Sequence, residues 1–341
     1  MSERHSAWEE SGTFEVASGV FRIPLPLPND GLHAVNIYVL VDGDELVVID
    51  SGWATQESRG HLNEGLARLD FAVSDITQFL ITHSHSDHFT QAVAVRSEYG
   101  TPISLGEGER YTLEAITPER VRRPYAQFPK LLRAGAKDVV DALEALPEDF
   151  SVDMDSWGLP DRWLQGTEII ELKTRTLRAI HTPGHTRGHY VFWDSDAGLL
   201  FAGDHVLPQI TPSIGFEAAP DSSPLKHYLA SLLLVRTLPD ATLLPAHGPV
   251  GPSVHARVDE LLDHHGSRLH NTLVAISAGA VTAREAAARL GWTRRERHFD
   301  EMDVFNQMLA VLETAAHLDV LVERGQLAVT ELGDIAHYAV R

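Results

Sequence analysis

His83-Ser84-His85-Ser86-Asp87-His88 places four metal-binding side chains within six residues, directly after the apolar run Phe79-Leu80-Ile81-Thr82. Imidazole and carboxylate are ligands suited to a divalent ion such as zinc. Alternate side chains of an extended segment point the same way. His83 and His85 can therefore converge on one ion, while Asp87 and His88, just past the strand, address a second. An exposed His-rich loop is the bland alternative, but an expression tag sits at a terminus and has no core strand in front of it. The chemistry of such a pair of ions is the activation of water for hydrolysis.

Four ligands do not close two sites, so further ligands must arrive from other strand ends, and the chain offers three. His185 lies in Ala179-Ile180-His181-Thr182-Pro183-Gly184-His185-Thr186, where Pro183-Gly184 makes a sharp turn. Asp204 ends the apolar run Leu199-Leu200-Phe201-Ala202-Gly203 and has two oxygens with which to bridge two cations. His247 follows Leu243-Leu244-Pro245-Ala246. Each of these alone reads as a turn former or a structural histidine.

In this order, HSHSDH, TPGHT, AGDH and PAHG resemble the motifs of the metallo-β-lactamase-fold hydrolase superfamily, over roughly residues 14 to 250. The resemblance implies an α/β fold, an αββα sandwich with the metals at one edge. It implies that His83, His85 and His185 hold one zinc and that Asp87, His88 and His247 hold the other. Asp204 and a hydroxide would lie between them, with Asp87 and Asp204 as the catalytic carboxylates. Iron or manganese can occupy the same ligands. The motifs are specific for the fold and much less so for the reaction, because one fold hosts many functions.

Asp50, in Val47-Val48-Ile49-Asp50-Ser51-Gly52, resembles the aspartate that in this family stands behind the ligands and orients one of them or the hydroxide. A strand-end turn former is the alternative. Phe89-Thr90-Gln91 departs from the small turn many members carry, which leaves ligation intact and bears on the pocket wall. His181, His189 and His205 lie near ligands and read as hydrogen-bonded structural histidines, with His189 also a candidate for facing the substrate.

These residues need strands and helices to carry them. Val35 to Leu40 and Glu45 to Ile49 flank Asp42-Gly43-Asp44 as a hairpin, and a helix around Glu57 to Leu69 precedes the strand that delivers the first motif. The alternation continues to His247 and implies sheets inside and helices outside. The interval from His88 to His185 exceeds what a helix and a few strands require, which places a helical insert at about 107–166. In its first half Arg110, Arg120, Arg122, Arg123, Lys130, Arg133 and Lys137 outnumber Glu107, Glu109, Glu114 and Glu119. Such a segment either forms a lid that grips an anionic acyl substrate, with Arg122 and Arg123 as contacts, or is a helical face with solvated charges.

Residues 1–254 are thus expected to form the hydrolase domain, and 255–341 a small, mainly helical C-terminal domain. His255 to Ile276 reads as a long helix. Thr282-Ala283-Arg284-Glu285 is a capping box, Phe305 to Arg324 another helix, and Gln326 to Leu332 a small strand or wing. This order resembles the winged-helix-like appendage of the β-lactamase-like endoribonuclease branch. Acidic residues interleave its arginines, so packing and completion of the pocket are expected in place of nucleic-acid binding.

Composition sets outer limits. There is no cysteine, which excludes thiolate ligands and disulfides and fits a reducing cytoplasm. No signal-peptide core and no membrane-length apolar run is present, so a cytoplasmic protein without a membrane partner is expected. The net charge of −20 repels polyanions. The expected partner is a small acyl molecule, and a homodimer is compatible with everything above. Hydrolysis of a carboxylic thioester or ester, as in glyoxalase II-like members, ranks first. Opening of a β-lactam or lactone ranks second, and RNA cleavage third. A redox di-iron protein and a non-enzymatic winged-helix regulator carrying a metal domain are the alternatives from other classes.

Overall fold

The computed structural model describes residues 8–28, 32–116, 125–146, 154–219, 221–292 and 297–341. One seven-stranded sheet follows chain order: β1 (Phe14–Ala17), β2 (Val20–Pro26), β3 (Ala34–Asp42), β4 (Glu45–Ile49), β5 (Gln78–Leu80), β6 (Ile103–Gly106) and β7 (Arg162–Leu164). It is antiparallel as far as β4 and parallel from there on. Helices α1 (Gln56–Ala67) and α2 (Ser86–Tyr99) make the crossovers that the parallel pairs require. The second sheet runs β12-β11-β10-β9-β8, from β8 (Thr167–Glu171), β9 (Thr176–His181), β10 (Tyr190–Asp194) and β11 (Leu199–Gly203) to β12 (Thr242–Pro245).

The period-two alternation of strands sorts their side chains into layers. In β3 and β4, Val35, Ile37, Val39, Leu46 and Val48 face the helix side with Leu62, Leu66, Phe89 and Val93, whereas Tyr38, Leu40, Val47 and Ile49 face the other sheet. In β10 and β11, Tyr190, Phe192, Leu199 and Phe201 meet that inner layer, while Val191, Trp193, Leu200 and Ala202 turn outward. Both faces of the central strands are covered, so they read as near-continuous apolar runs. The result is the expected αββα sandwich.

The outer layer of the second sheet is larger than a helix pair. It contains α6 (Pro224–Thr237) and α7 (Val254–Ser277), the insert helices α4 (Phe128–Arg133) and α5 (Lys137–Glu144), and the C-terminal α8 (Ala283–Ala287) and α9 (Val304–Glu323). Leu131, Val139 and Leu143 share one buried cluster with Leu232, Val258, Val311 and Leu321. The ribbon β13 (Leu327–Leu332) and β14 (Ile335–Val340) closes the chain. Thr282 accepts from the Glu285 amide and Glu285 from the Val281 amide, which opens α8.

Within the insert expected at about 107–166, the described residues form α3 (Arg110–Ala115), α4, α5, short 3₁₀ turns and the edge strand β7. Its cations find partners within the chain, at the surface: Arg133 pairs with Glu331, Lys137 with Asp141, and Arg110 lies 4.5 Å over the Trp163 ring. For the described part this favours a helical face with solvated charges over a lid. Arg120, Arg122 and Arg123 lie outside the described residues. Among the described residues no helix is long and apolar enough to cross a membrane.

Candidate metal centre

Each candidate ligand leaves the sandwich at the same edge. His83 and His85 follow β5, Asp87 and His88 occupy the first turn of α2, His185 sits in the loop from β9 to β10, and Asp204 and His247 follow β11 and β12. The pairs β4–β5 and β11–β12 are parallel, so their carboxyl ends open together, where loops of α/β sheets gather their ligands. Gly203, with φ of +50°, permits the close approach, because a Cβ there would stand 2.7 Å from Thr82 Oγ1 and 2.8 Å from His189 Nε2. Gly184, with φ of +144°, lies against the Tyr228 backbone, so any side chain would push the His185 loop off α6. The His247 loop is tied to the first sheet: Asn36 Nδ2 donates to Pro245 and Gly248 carbonyls at 3.0 and 2.9 Å, and Tyr38 Oη to Pro245 at 2.8 Å.

The side chains assemble as two groups. The first comprises His83, His85, His185 and Asp204, the second Asp87, His88 and His247, and within each the ligand atoms lie within 4.8 Å of one another. In every histidine one ring nitrogen is committed to an acceptor. His88 Nδ1 donates to Asp50 Oδ2 at 2.9 Å, His247 Nδ1 to the Ala34 carbonyl at 2.8 Å and His185 Nδ1 to Ser213 at 2.7 Å. His85 Nε2 donates to the Phe216 carbonyl at 3.0 Å. The Thr82 hydroxyl donates to Asp50 and so accepts from His83 Nδ1 at 3.0 Å. These partners leave the other nitrogen of each ring as the candidate ligand atom, a bare lone pair whenever the ring is neutral.

Three bare nitrogens of the first group face one another. His83 Nε2 and His85 Nδ1 are 3.0 Å apart, His185 Nε2 and His85 Nδ1 3.1 Å, and His185 Nε2 and His83 Nε2 3.3 Å. Lone pairs repel at that range. Ligands about 2.0–2.1 Å from a tetrahedral ion are themselves about 3.3 Å apart, so a divalent metal ion fits the arrangement. In the second group His88 Nε2, His247 Nε2 and Asp204 Oδ1 are buried and make no hydrogen bond, the mark of atoms aimed at a cation. Asp204 spans the two groups. Its Oδ2 lies 3.4 Å from His185 Nε2, and its Oδ1 3.4 Å from His247 Nε2 and 3.7 Å from His88 Nε2.

The groups differ in charge before an ion binds. Burial, then the surrounding imidazoles, hold His83 well below the usual histidine range, and burial and His85 bring His185 down to about 4. Burial also opposes charge on His88 and His247. There the carboxylates of Asp87 and Asp204, with Asp50 behind His88, outweigh it and raise both.

Asp50 stands where an orienting residue must. It is buried at φ of +59°, and Oδ1 accepts from the Thr82 amide at 2.8 Å while Oδ2 holds His88. His189 takes the hydrogen-bonded role of its first reading, and its alternative as a substrate contact is corrected: it is buried, its Nδ1 donates to Thr182 Oγ1 at 3.0 Å, and its Nε2 accepts from the Asp204 amide at 3.2 Å. No ring nitrogen remains for a substrate. His181 Nε2 is likewise bound to the Arg187 carbonyl. Phe89 is no pocket wall either, because it points into the layer between sheet and helix and packs near Trp157. Arg122 and Arg123 lie outside the described residues.

One residue of the site escaped sequence reading. Glu109, fully buried, accepts from the Ser84 hydroxyl and amide with one oxygen, and from the Thr186 hydroxyl and the Gly188 amide with the other. It fastens the loop between His83 and His85 to the loop after His185. The signal was the pair Gly106 and Gly108 before it, which let the backbone come against Arg187 and Gly188. Glu109→Gln replaces an acceptor by a donor facing N–H and O–H groups. The expected result is roughly 10–100-fold weaker metal binding at the group of His83, His85, His185 and Asp204, with circular dichroism unchanged. Chelator competition measures it, and unchanged affinity would remove Glu109 from the site.

The sequence profile of the Metallo-beta-lactamase superfamily matches residues 30–247. The chain is 26% identical to the "Probable metallo-hydrolase YqjP" of Bacillus subtilis over 319 residues, 88% of this chain and 90% of that protein. It is 25% identical to the "Lactamase-like protein aptB" of Emericella nidulans over 78% of this chain and 67% of that one. Among solved structures, a beta-lactamase domain protein from Burkholderia ambifaria superposes with a TM-score of 0.77 at 26% identity, covering 100% of this chain and 96% of that one. A metallo-beta-lactamase family protein from Thermus thermophilus gives a TM-score of 0.72 at 27% identity, covering 96% and 100%.

Proposed function

This chain belongs to the metallo-beta-lactamase superfamily, and from that premise we propose that it is a dinuclear zinc hydrolase acting on a carboxylic thioester or ester. The observation that carries the proposal is Asp204, whose two oxygens address two separate groups of imidazoles with bare nitrogens. His83, His85 and His185 would hold one ion and Asp87, His88 and His247 the other. Bound there, two zinc ions supply an acidified water and Lewis-acid stabilisation of negative charge on the substrate oxygen.

The protein's own part is orientation and proton control. Asp87 and His85 are the partly exposed members of the set, the Asp87 side chain 15% exposed against 0% for His88 and 3% for His185 and His247, so substrate and water are read as arriving on their side. Asp87 Oδ2 lies 3.2 Å from His247 Nε2 and 3.4 Å from His88 Nε2, beside the second group, where the carboxylate can receive and orient a water proton. Asp50, Thr82 and His189 hold the rings and the Asp204 backbone still, so little reorganisation is needed when charge develops. The net charge of −20 favours a small acyl substrate over RNA.

The test is a panel of thioesters, esters, lactones, β-lactams and single-stranded RNA offered to zinc-loaded protein. Turnover is expected on the thioesters and esters, lost on chelation and restored by zinc. Cleavage of RNA alone, or turnover on the esters that persists after full removal of metal, would overturn the reading.

A further inference from the structure

Away from the sheet edge, the packing of α7 against α9 buries a second cluster of imidazoles around one carboxylate. His317 Nδ1 lies 2.7 Å from the Glu313 backbone carbonyl and must donate to it, which leaves His317 Nε2 as an acceptor. That nitrogen stands 3.2 Å from His265 Nδ1, so His265 Nδ1 carries the proton. His265 Nε2 is then a bare lone pair, and it is buried with no hydrogen-bond partner. Burial holds His265 and His317 neutral, the latter with a pKa of about 4. One ring nitrogen free and the other supported by a chain ending on a carbonyl is how proteins prepare a metal-ligating histidine.

Two further donors lie close to His265. His264 and Glu313 each offer an atom such that all three ligand atoms lie within 4.8 Å of one another. The nearest cation to Glu313 is Arg268, whose Nε is 3.8 Å from Oε1. That is too far for a hydrogen bond, and the guanidinium is engaged elsewhere, with Nη1 donating to Gly291 at 2.9 Å and the group lying 4.1 Å over the Trp292 ring. Glu313 thus keeps a loose ion pair with Arg268, without a hydrogen bond at that distance, and its carboxylate oxygens retain lone pairs for a further cation.

We propose that His264, His265 and Glu313 form a further divalent-metal site, separate from the centre at the sheet edge. Two imidazoles and a carboxylate suit zinc, with a fourth position open to water. The ion ties α7 to α9 and so stiffens the C-terminal segment. The positive charge of Arg268 nearby weakens the site relative to the centre at the sheet edge, so a chelator removes this ion first.

The test compares wild type with His264→Ala and Glu313→Gln, both at partly exposed positions, after zinc loading and gel filtration. Each variant is expected to carry one zinc fewer than wild type by elemental analysis and to keep wild-type hydrolysis. Zinc is expected to slow amide exchange in α7 and α9 of the wild type and to have no such effect in Glu313→Gln. Equal zinc content in all three proteins would overturn the site, as would exchange in these helices that does not respond to zinc in wild type.

Discussion

Asp204→Ala is expected to strip metal from both groups at once and to lower turnover by at least roughly 10²–10³-fold, the cost of losing one principal electrostatic contact in a catalytic site. The other ligand candidates each belong to one group, whereas Asp204 offers Oδ2 to the His185 side and Oδ1 to the His88 and His247 side. On the proposed dinuclear reading its carboxylate would also be the charge that compensates both cations within a buried site. Burial alone would raise its pKa, yet His247, His88 and His185 pull it below the usual carboxylate range, so it is ionised and ready to ligate. Asp204→Asn separates the two contributions. It keeps one oxygen and the shape, so it should retain more of the ion held by the three imidazoles than of the second. Elemental analysis and kcat on the preferred ester measure both effects, and a variant that keeps full metal content and turnover would show that Asp204 does not bridge.

The candidate ligands were legible in the sequence because metal chemistry is narrow. Only a few side chains ligate, they must leave strand ends together, and HSHSDH does so after an unbroken apolar run. Asp50 was legible through the family resemblance, since its place at a strand end alone also fits a turn former, and the hairpin of β3 and β4 through its Asp-Gly turn. Glu109 was not. In one dimension it is one more carboxylate among Glu107, Glu114 and Glu119, and only the fold shows Ser84 and Gly188 donating to it from loops far apart in the chain. His189 was read first as a hydrogen-bonded structural histidine and second as a substrate contact. Just before β10 it turns inward, where the Asp204 amide and Thr182 use both of its nitrogens, which fits the first reading. The insert's cations could be read as a patch only while their partners, Glu331 in the last ribbon and Asp141 one helical turn on, were out of view.

Acid should remove the second ion before the first. The three imidazoles of the first group crowd one another in a buried place, so His83 and His185 are neutral at pH 7 and accept a metal ion without giving up protons. His88 and His247 are raised by the carboxylates they face. A metal ion must displace their protons, so affinity in that group rises with pH through the raised range and falls as pH drops below it. The carboxylates that make the second group electrostatically attractive to a cation are thus the ones that let protons compete. Asp50→Ala tests the connection. It leaves His88 Nδ1 and the Thr82 amide without an acceptor in a buried place, each at a cost of about 1–3 kcal/mol. The metal ion of the second group should bind roughly 10–100-fold more weakly at pH 7. Removing that carboxylate also lowers the pKa of His88, so the pH at which the ion departs should move down even as affinity at high pH falls. Metal retention measured across pH 5 to 9 for wild type and Asp50→Ala separates the two effects. Simultaneous loss of both ions on acidification would show that the two groups titrate as one unit, and unchanged retention in Asp50→Ala would show that His88 is oriented by something other than this carboxylate.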